Sequence, residues 1–164
     1  MHRAIAVLAA FVTLLPLAAR AEEECIQLAY IRPHRPQVVS SEARALYGDV
    51  NAARARRGLP PLALDENLSQ FALQVAQQMA ERRYFGHTDP NGVTFEDRLR
   101  AAGLHRHFAA ENMAFDQDEI HAHQAFLRSP GHYANIVDQH PRRVGIAVVA
   151  VGEGEVFYVE EFAD

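Results

Sequence analysis

The chain predicts an α+β domain in which helices come first, a β-hairpin comes last and the helices cover the sheet. Three observations carry that reading. Apolar residues recur at helical spacing in three segments between Ser40 and Ala102. Two runs rich in β-branched and aromatic residues, Val144 to Val151 and Val156 to Phe162, close the chain. Gly152-Glu153-Gly154 stands between those runs as a hairpin turn.

Residues 1–21 read as an export signal. Arg3 supplies a positive start, Ile5 to Leu17 form a short apolar run, and Ala19-Arg20-Ala21 fits the small-x-small cleavage pattern, so the mature chain is expected to begin at Glu22. The run is too short for a comfortable membrane span. The expectation is an exported protein without a transmembrane segment after processing, in either the periplasm or the medium. Residues 22–39 hold Pro33 and Pro36 and show no period, which reads as an N-terminal arm, partly disordered. The domain proper is expected over residues 40–164.

A first helix is expected from Ser40 or Ser41, with Ala43, Leu46, Val50 and Ala53 on one face and Gly58 with Pro60-Pro61 as its stop. A second runs from a cap at Asp65 through Leu68, Ala72, Val75 and Met79 to about Arg83. The third spans Thr94 to Ala102, with Asp97 placed for a capping box and Gly103 ending it. His107 to Phe115 suits a strand. A fourth helix is expected over Asp118 to Leu127, halted by Ser129-Pro130-Gly131.

The composition excludes some functions. The 16 cationic residues, all arginine, face 21 acidic ones for a net charge of −5, and losing Arg3 and Arg20 with the leader makes the balance more negative. Without a basic stripe such a chain is a poor candidate for gripping nucleic acid. Cys25 is the single cysteine, so no internal disulfide forms. It is either a free thiol on the arm or half of an intermolecular disulfide.

Chemistry concentrates in three short segments: Phe85-Gly86-His87-Thr88-Asp89-Pro90, Ala110-Glu111-Asn112 and Ser129-Pro130-Gly131-His132-Tyr133-Ala134-Asn135-Ile136. Two imidazoles and a carboxylate are donors that zinc accepts, and His87 and His132 would have to be brought together by the fold rather than by a local helix motif. Glu111 would orient one ring or take a proton from bound water. The alternative is a buried hydrogen-bonded network that fixes loops. His105 and His107 read as an exposed loop pair. His121 and His123 lie on one helix at a spacing that splays their rings apart. Ser129 reads as a turn residue, not a nucleophile.

These segments, in order with Asn51-Ala52-Ala53-Arg54, Leu59-Pro60-Pro61-Leu62 and Val144-Gly145-Ile146, resemble the bacterial branch of the CAP superfamily. That superfamily groups cysteine-rich secretory proteins, antigen 5 and pathogenesis-related class 1 proteins, and its domain is also called SCP-like. The resemblance covers about residues 41–163. It implies a three-layer α-β-α sandwich with a cleft lined by two histidines and two acids, the histidines falling on His87 and His132 and the first acid on Glu111. Asn135 and Glu160 complete the candidate ligand-binding set. In several members the histidine pair is associated with zinc or another divalent ion; many are secreted binding modules, some bind sterols or other lipids, and peptidase activity is confined to a few.

Three departures stand out. Relatives carry an acid two residues before a tryptophan where this chain has Gln124 before Phe126, so the second cleft acid is missing. Ala110 replaces a glycine. Glu160 stands where relatives place glutamine, and alternation sets it on the face of Tyr158 and Phe162. It either carries displaced negative charge for the site or faces solvent, the simpler reading.

The resemblance and the residues together lead to an exported, non-enzymatic module that binds a small-molecule, lipid or protein ligand, with a divalent metal on His87 and His132 as a further expectation. The alternatives are a metal-dependent hydrolase with Glu111 as base, and a sterol or lipid carrier.

Overall fold

The computed structural model describes residues 26–27, 37–38, 40–152 and 154–164. The expected export signal, Cys25 and Glu153 lie outside the described residues. Among the described residues, strands β1 (Ile26–Gln27) and β2 (Gln37–Val38) precede α1 (Ser40–Arg56), and β3 (Ala63–Leu64) leads to α2 (Glu66–Arg82). Then come β4 (Tyr84–Phe85), α3 (Phe95–Ala101), β5 (Ala109–Asp116), α4 (Glu119–Arg128), α5 (Pro130–Ile136), β6 (Arg143–Gly152) and β7 (Glu155–Ala163). Two dipeptides of the expected arm are thus paired: β1 lies antiparallel to β4 and β2 antiparallel to β6.

The C-terminal hairpin is the centre of the sheet. β6 and β7 pair along their length, β5 adds antiparallel to β7, and β3 lies parallel beside β6. The order β2-β6-β7-β5 makes β5 an edge strand. Gly145 of β6 is required by a close approach, because a Cβ there would collide with the backbone and side chain of Leu68 in the first turn of α2.

Both faces of this sheet are covered. Met113, Ala147, Val149, Phe157 and Val159 pack on Phe71, Ala72, Val75 and Met79 of α2. On the other face Val144, Ile146, Val148, Tyr158 and Phe162 meet Leu46 and Val50 of α1, Phe126 of α4 and Ile136 of α5. The result is an α-β-α sandwich. With helices on both sides, alternation along β7 no longer separates inside from outside, and every residue from Val156 to Ala163 is buried.

The capping signals hold. Asp65 accepts from the Leu68 amide at 3.0 Å, and Thr94 with Asp97 forms a reciprocal capping box. Ser129-Pro130-Gly131 does stop α4, but it also starts a helix that the sequence reading did not expect. Pro130 is the first residue of α5, where its fixed φ and missing N–H cost nothing.

Candidate functional site

The site forms where segments from both layers of helices meet the edge strand β5. His87 follows β4 through Gly86 on the α2–α3 side. His132 sits in the first turn of α5 on the opposite side. Their ring centroids approach to 6.4 Å with planes tilted by 46°. Both rings are half-buried, His87 with 21% of its side chain exposed.

Each histidine is held by a residue of β5. Adjacent strand residues point to opposite faces, so Glu111 and Asn112 serve opposite sides of the sheet. His87 Nδ1 donates to Glu111 Oε1 at 2.8 Å. Arg98 of α3 clamps the same carboxylate, its Nη2 lying 2.9 and 3.0 Å from the two oxygens, and its Nη1 donates to the His87 carbonyl at 2.7 Å. One guanidinium nitrogen thus bridges both oxygens in a buried ion pair that neutralises Glu111, and the other fixes the loop carrying His87.

On the other face Asn112 Nδ2 donates to the His132 carbonyl at 3.1 Å and to Glu160 Oε2 at 2.9 Å. Asn135 Nδ2 donates to Asn112 Oδ1 at 2.9 Å. The His132 ring stands edge-on to Phe126, with centroids 5.3 Å apart. Burial, and after it the nearby His87 imidazole, hold His132 below the ordinary histidine value. Arg54, fully buried on α1, donates through Nη1 to the carbonyls of Ile136 and Asp138 at 2.9 and 2.7 Å, so α1 anchors the end of the helix that carries His132.

One expectation about the acids needs correction. Glu160 does not face solvent: it is wholly buried, because α5 and α4 cover the sheet face onto which it projects. Burial pushes its carboxyl up to about 8, so at neutral pH it is largely uncharged and supplies little negative charge to the site. Gln124 lies exposed on α4, where it accepts from Arg128 at 3.3 Å. A second acid does lie beside Glu111: Glu161, its cross-strand partner in β7, 1% exposed. Neither Glu161 nor Arg98 was singled out from sequence. Strand alternation would have placed Glu161 on the face of Phe157 and Val159, whereas nothing local marks Arg98.

The remaining candidates fall elsewhere. His105 and His107 are exposed in the segment before β5, His121 is exposed and bonded to Asp118, and His123 is buried between α1 and α4. Ser129 links α4 to α5 without a side-chain cap. A cavity of about 360 Å³ lies between α2 and α3, not over the histidines; Phe71, Val75 and Arg98 are among the residues lining it.

A divalent ion would find two imidazoles here. Glu111 has both oxygens engaged by Arg98 and His87, and no group of three His, Cys, Asp or Glu side chains among the described residues has the geometry to hold a metal. The donor set falls one protein ligand short of the usual catalytic zinc site.

An α-β-α sandwich whose edge strand β5 bonds the His87 ring through Glu111 and the His132 backbone through Asn112 defines an SCP-type domain. The chain belongs to the cysteine-rich secretory protein family, CAP, whose model matches residues 47–162. It is 32% identical over 120 residues to the uncharacterised protein YkwD of Bacillus subtilis, covering 71% of this chain and 46% of that one. An extracellular SCP-domain protein from Bacillus anthracis superposes with a TM-score of 0.67 at 28% identity, over 76% of this chain and 40% of that one. An outer surface protein from Borrelia burgdorferi superposes with a TM-score of 0.74 at 20% identity, over 80% and 98%, and shows the fold alone. The chain thus spans under half the length of its two Bacillus relatives.

Proposed function

We propose that this protein is an exported, non-enzymatic CAP module that binds a ligand in the cleft between His87 and His132. The observation that carries this is the state of Glu111, whose two oxygens are taken by Arg98 and His87. A general base must reach a water or substrate proton, and this carboxylate is buried behind the ring it orients. The two half-buried imidazoles present polar edges to a ligand, with Asn135 bracing the α5 side from below. Export is supported by the leader pattern of residues 1–21 and by the extracellular description of the Bacillus anthracis relative.

The test uses the mature protein. N-terminal sequencing of exported material should give Glu22 as the first residue. Peptide and ester panels should show no turnover, and equilibrium dialysis against lipid and metabolite extracts should enrich a compound that the His87→Ala/His132→Ala double variant does not retain. Turnover abolished by Glu111→Gln would overturn the reading in favour of a hydrolase.

A further inference from the structure

We propose that Glu161 is a positioning residue of the cleft: it stands as a neutral acid behind Glu111, donates its carboxyl proton to that carboxylate across the β5–β7 pair, and so fixes the His87 ring. This deepens the binding reading above and rests on it for its relevance, though not for its test.

The geometry is that of the strand register. Glu111 and Glu161 are direct cross-strand partners, so their side chains leave the sheet on the same face, and both are buried, 5% and 1% exposed. On its other side Glu161 pairs with Gly145, where the first turn of α2 presses onto the sheet and closes off solvent. Two carboxyl groups and one guanidinium thus share a single buried space. Arg98 neutralises one carboxylate, and a second charge there would stand beside the first without a counter-ion, so one carboxyl keeps its proton.

Which one keeps it follows from the donors. Both oxygens of Glu111 accept from Arg98, and one also from His87. Neither oxygen of Glu161 has a donor pointing at it. The ionised group is Glu111 and the acid is Glu161. Consistently, burial first and then the Glu111 charge push the Glu161 carboxyl well above the usual carboxylate range, against a weaker pull from Arg98. The charged or titratable groups that bear on this pair are Arg98 from α3, His87 from the loop after β4, Glu111 from β5 and Tyr84 from β4. With the proton in place, Glu111 accepts from three side chains and has no freedom to turn, which fixes Nδ1 as the protonated nitrogen of His87.

The experiment follows the carboxyl carbons of ¹³C-Glu-labelled protein and the ring nitrogens of His87 by NMR, in wild type, Glu161→Gln and Glu161→Leu. The Glu161 carboxyl should remain protonated through neutral pH, giving a resonance that Glu161→Gln removes. Glu161→Gln keeps a neutral donor and should leave the His87 tautomer and titration midpoint unchanged. Glu161→Leu keeps neutrality but loses the donor, so Glu111 becomes more basic and the His87 midpoint should move to higher pH. A Glu161 carboxyl that titrates near the ordinary value of about 4.3 overturns the proposal, even if neither variant folds. So does a His87 midpoint that is the same in Glu161→Leu as in wild type. Neither readout uses a ligand, so a failed search for one leaves this result standing, and the reverse also holds.

Discussion

Asn112 and Glu160 bond at 2.9 Å beneath α5, and the same amide reaches the His132 carbonyl, so a fully buried acid is two hydrogen bonds from the helix turn that presents a cleft histidine. The carboxyl is pushed from 4.5 up to about 8 by burial. A raised folded-state value means that the folded protein holds a proton the unfolded chain releases. The resulting stability is complete below about pH 4.5 and is lost as pH rises to about 8.

Glu160→Gln should therefore flatten the alkaline side of the stability profile. At about 1.4 kcal/mol per pH unit the difference from wild type should grow from near zero in acid to roughly 3–5 kcal/mol above pH 8. Urea midpoints across that range measure it. Equal slopes in the two proteins would contradict a buried neutral Glu160.

Arg98→Met should be among the most damaging single changes. It leaves the Glu111 carboxylate buried without its cation, a loss of about 3–5 kcal/mol. Arg98→Lys should recover only part, since a single ammonium nitrogen cannot replace both the Nη2 contact to Glu111 and the Nη1 bond to the His87 carbonyl. Denaturant unfolding decides it, and an Arg98→Met variant within about 1 kcal/mol of wild type would show that the pair is not holding the loop.

His132 gives the opposite pH sign. Its folded value lies below the ordinary 6.5, so its contribution to stability is present above that pH and falls away in acid as the unfolded chain takes up the proton. His123, lowered mainly by burial, adds a term of the same sign. His132→Gln should reduce the loss of stability between neutral pH and about pH 5 without removing it. An unchanged acid slope would mean that His132 is not protected from protonation.

Zinc should not survive dialysis of the wild-type protein at one equivalent, because the described residues offer two imidazoles and no free third donor beside them. Any weaker binding seen by calorimetry should be lost in His87→Ala or His132→Ala and kept in His121→Ala. Stoichiometric zinc after dialysis would restore the metal-dependent reading.

Deleting Val156 to Asp164 should abolish cooperative unfolding, since β7 is the strand that joins β5 to β6 and contributes to both cores. A sharp thermal transition in the truncated chain would argue against that architecture.

Local chemistry was legible in the sequence wherever a residue's role depends on its neighbours in the chain. Asp65 and Thr94 cap their helices by accepting from amides three residues on, the terminal runs make a hairpin, and the motifs that singled out His87, Glu111 and His132 lie together in the fold. What the sequence could not settle depended on what lies across the sheet. Alternation set Glu160 on the face of Tyr158 and Phe162 and solvent was the simpler reading for a carboxylate, but α1, α4 and α5 cover that face and α2 covers the other, so Glu160 and Glu161 are both buried. Arg98 reaches Glu111 across 13 positions, and Arg54 reaches Ile136 across 82, because packing of α3 and α1 brings them there. The charge state of the cleft follows from those long-range contacts, since burial sets the cost of an ion and only the assembled tertiary structure sets burial.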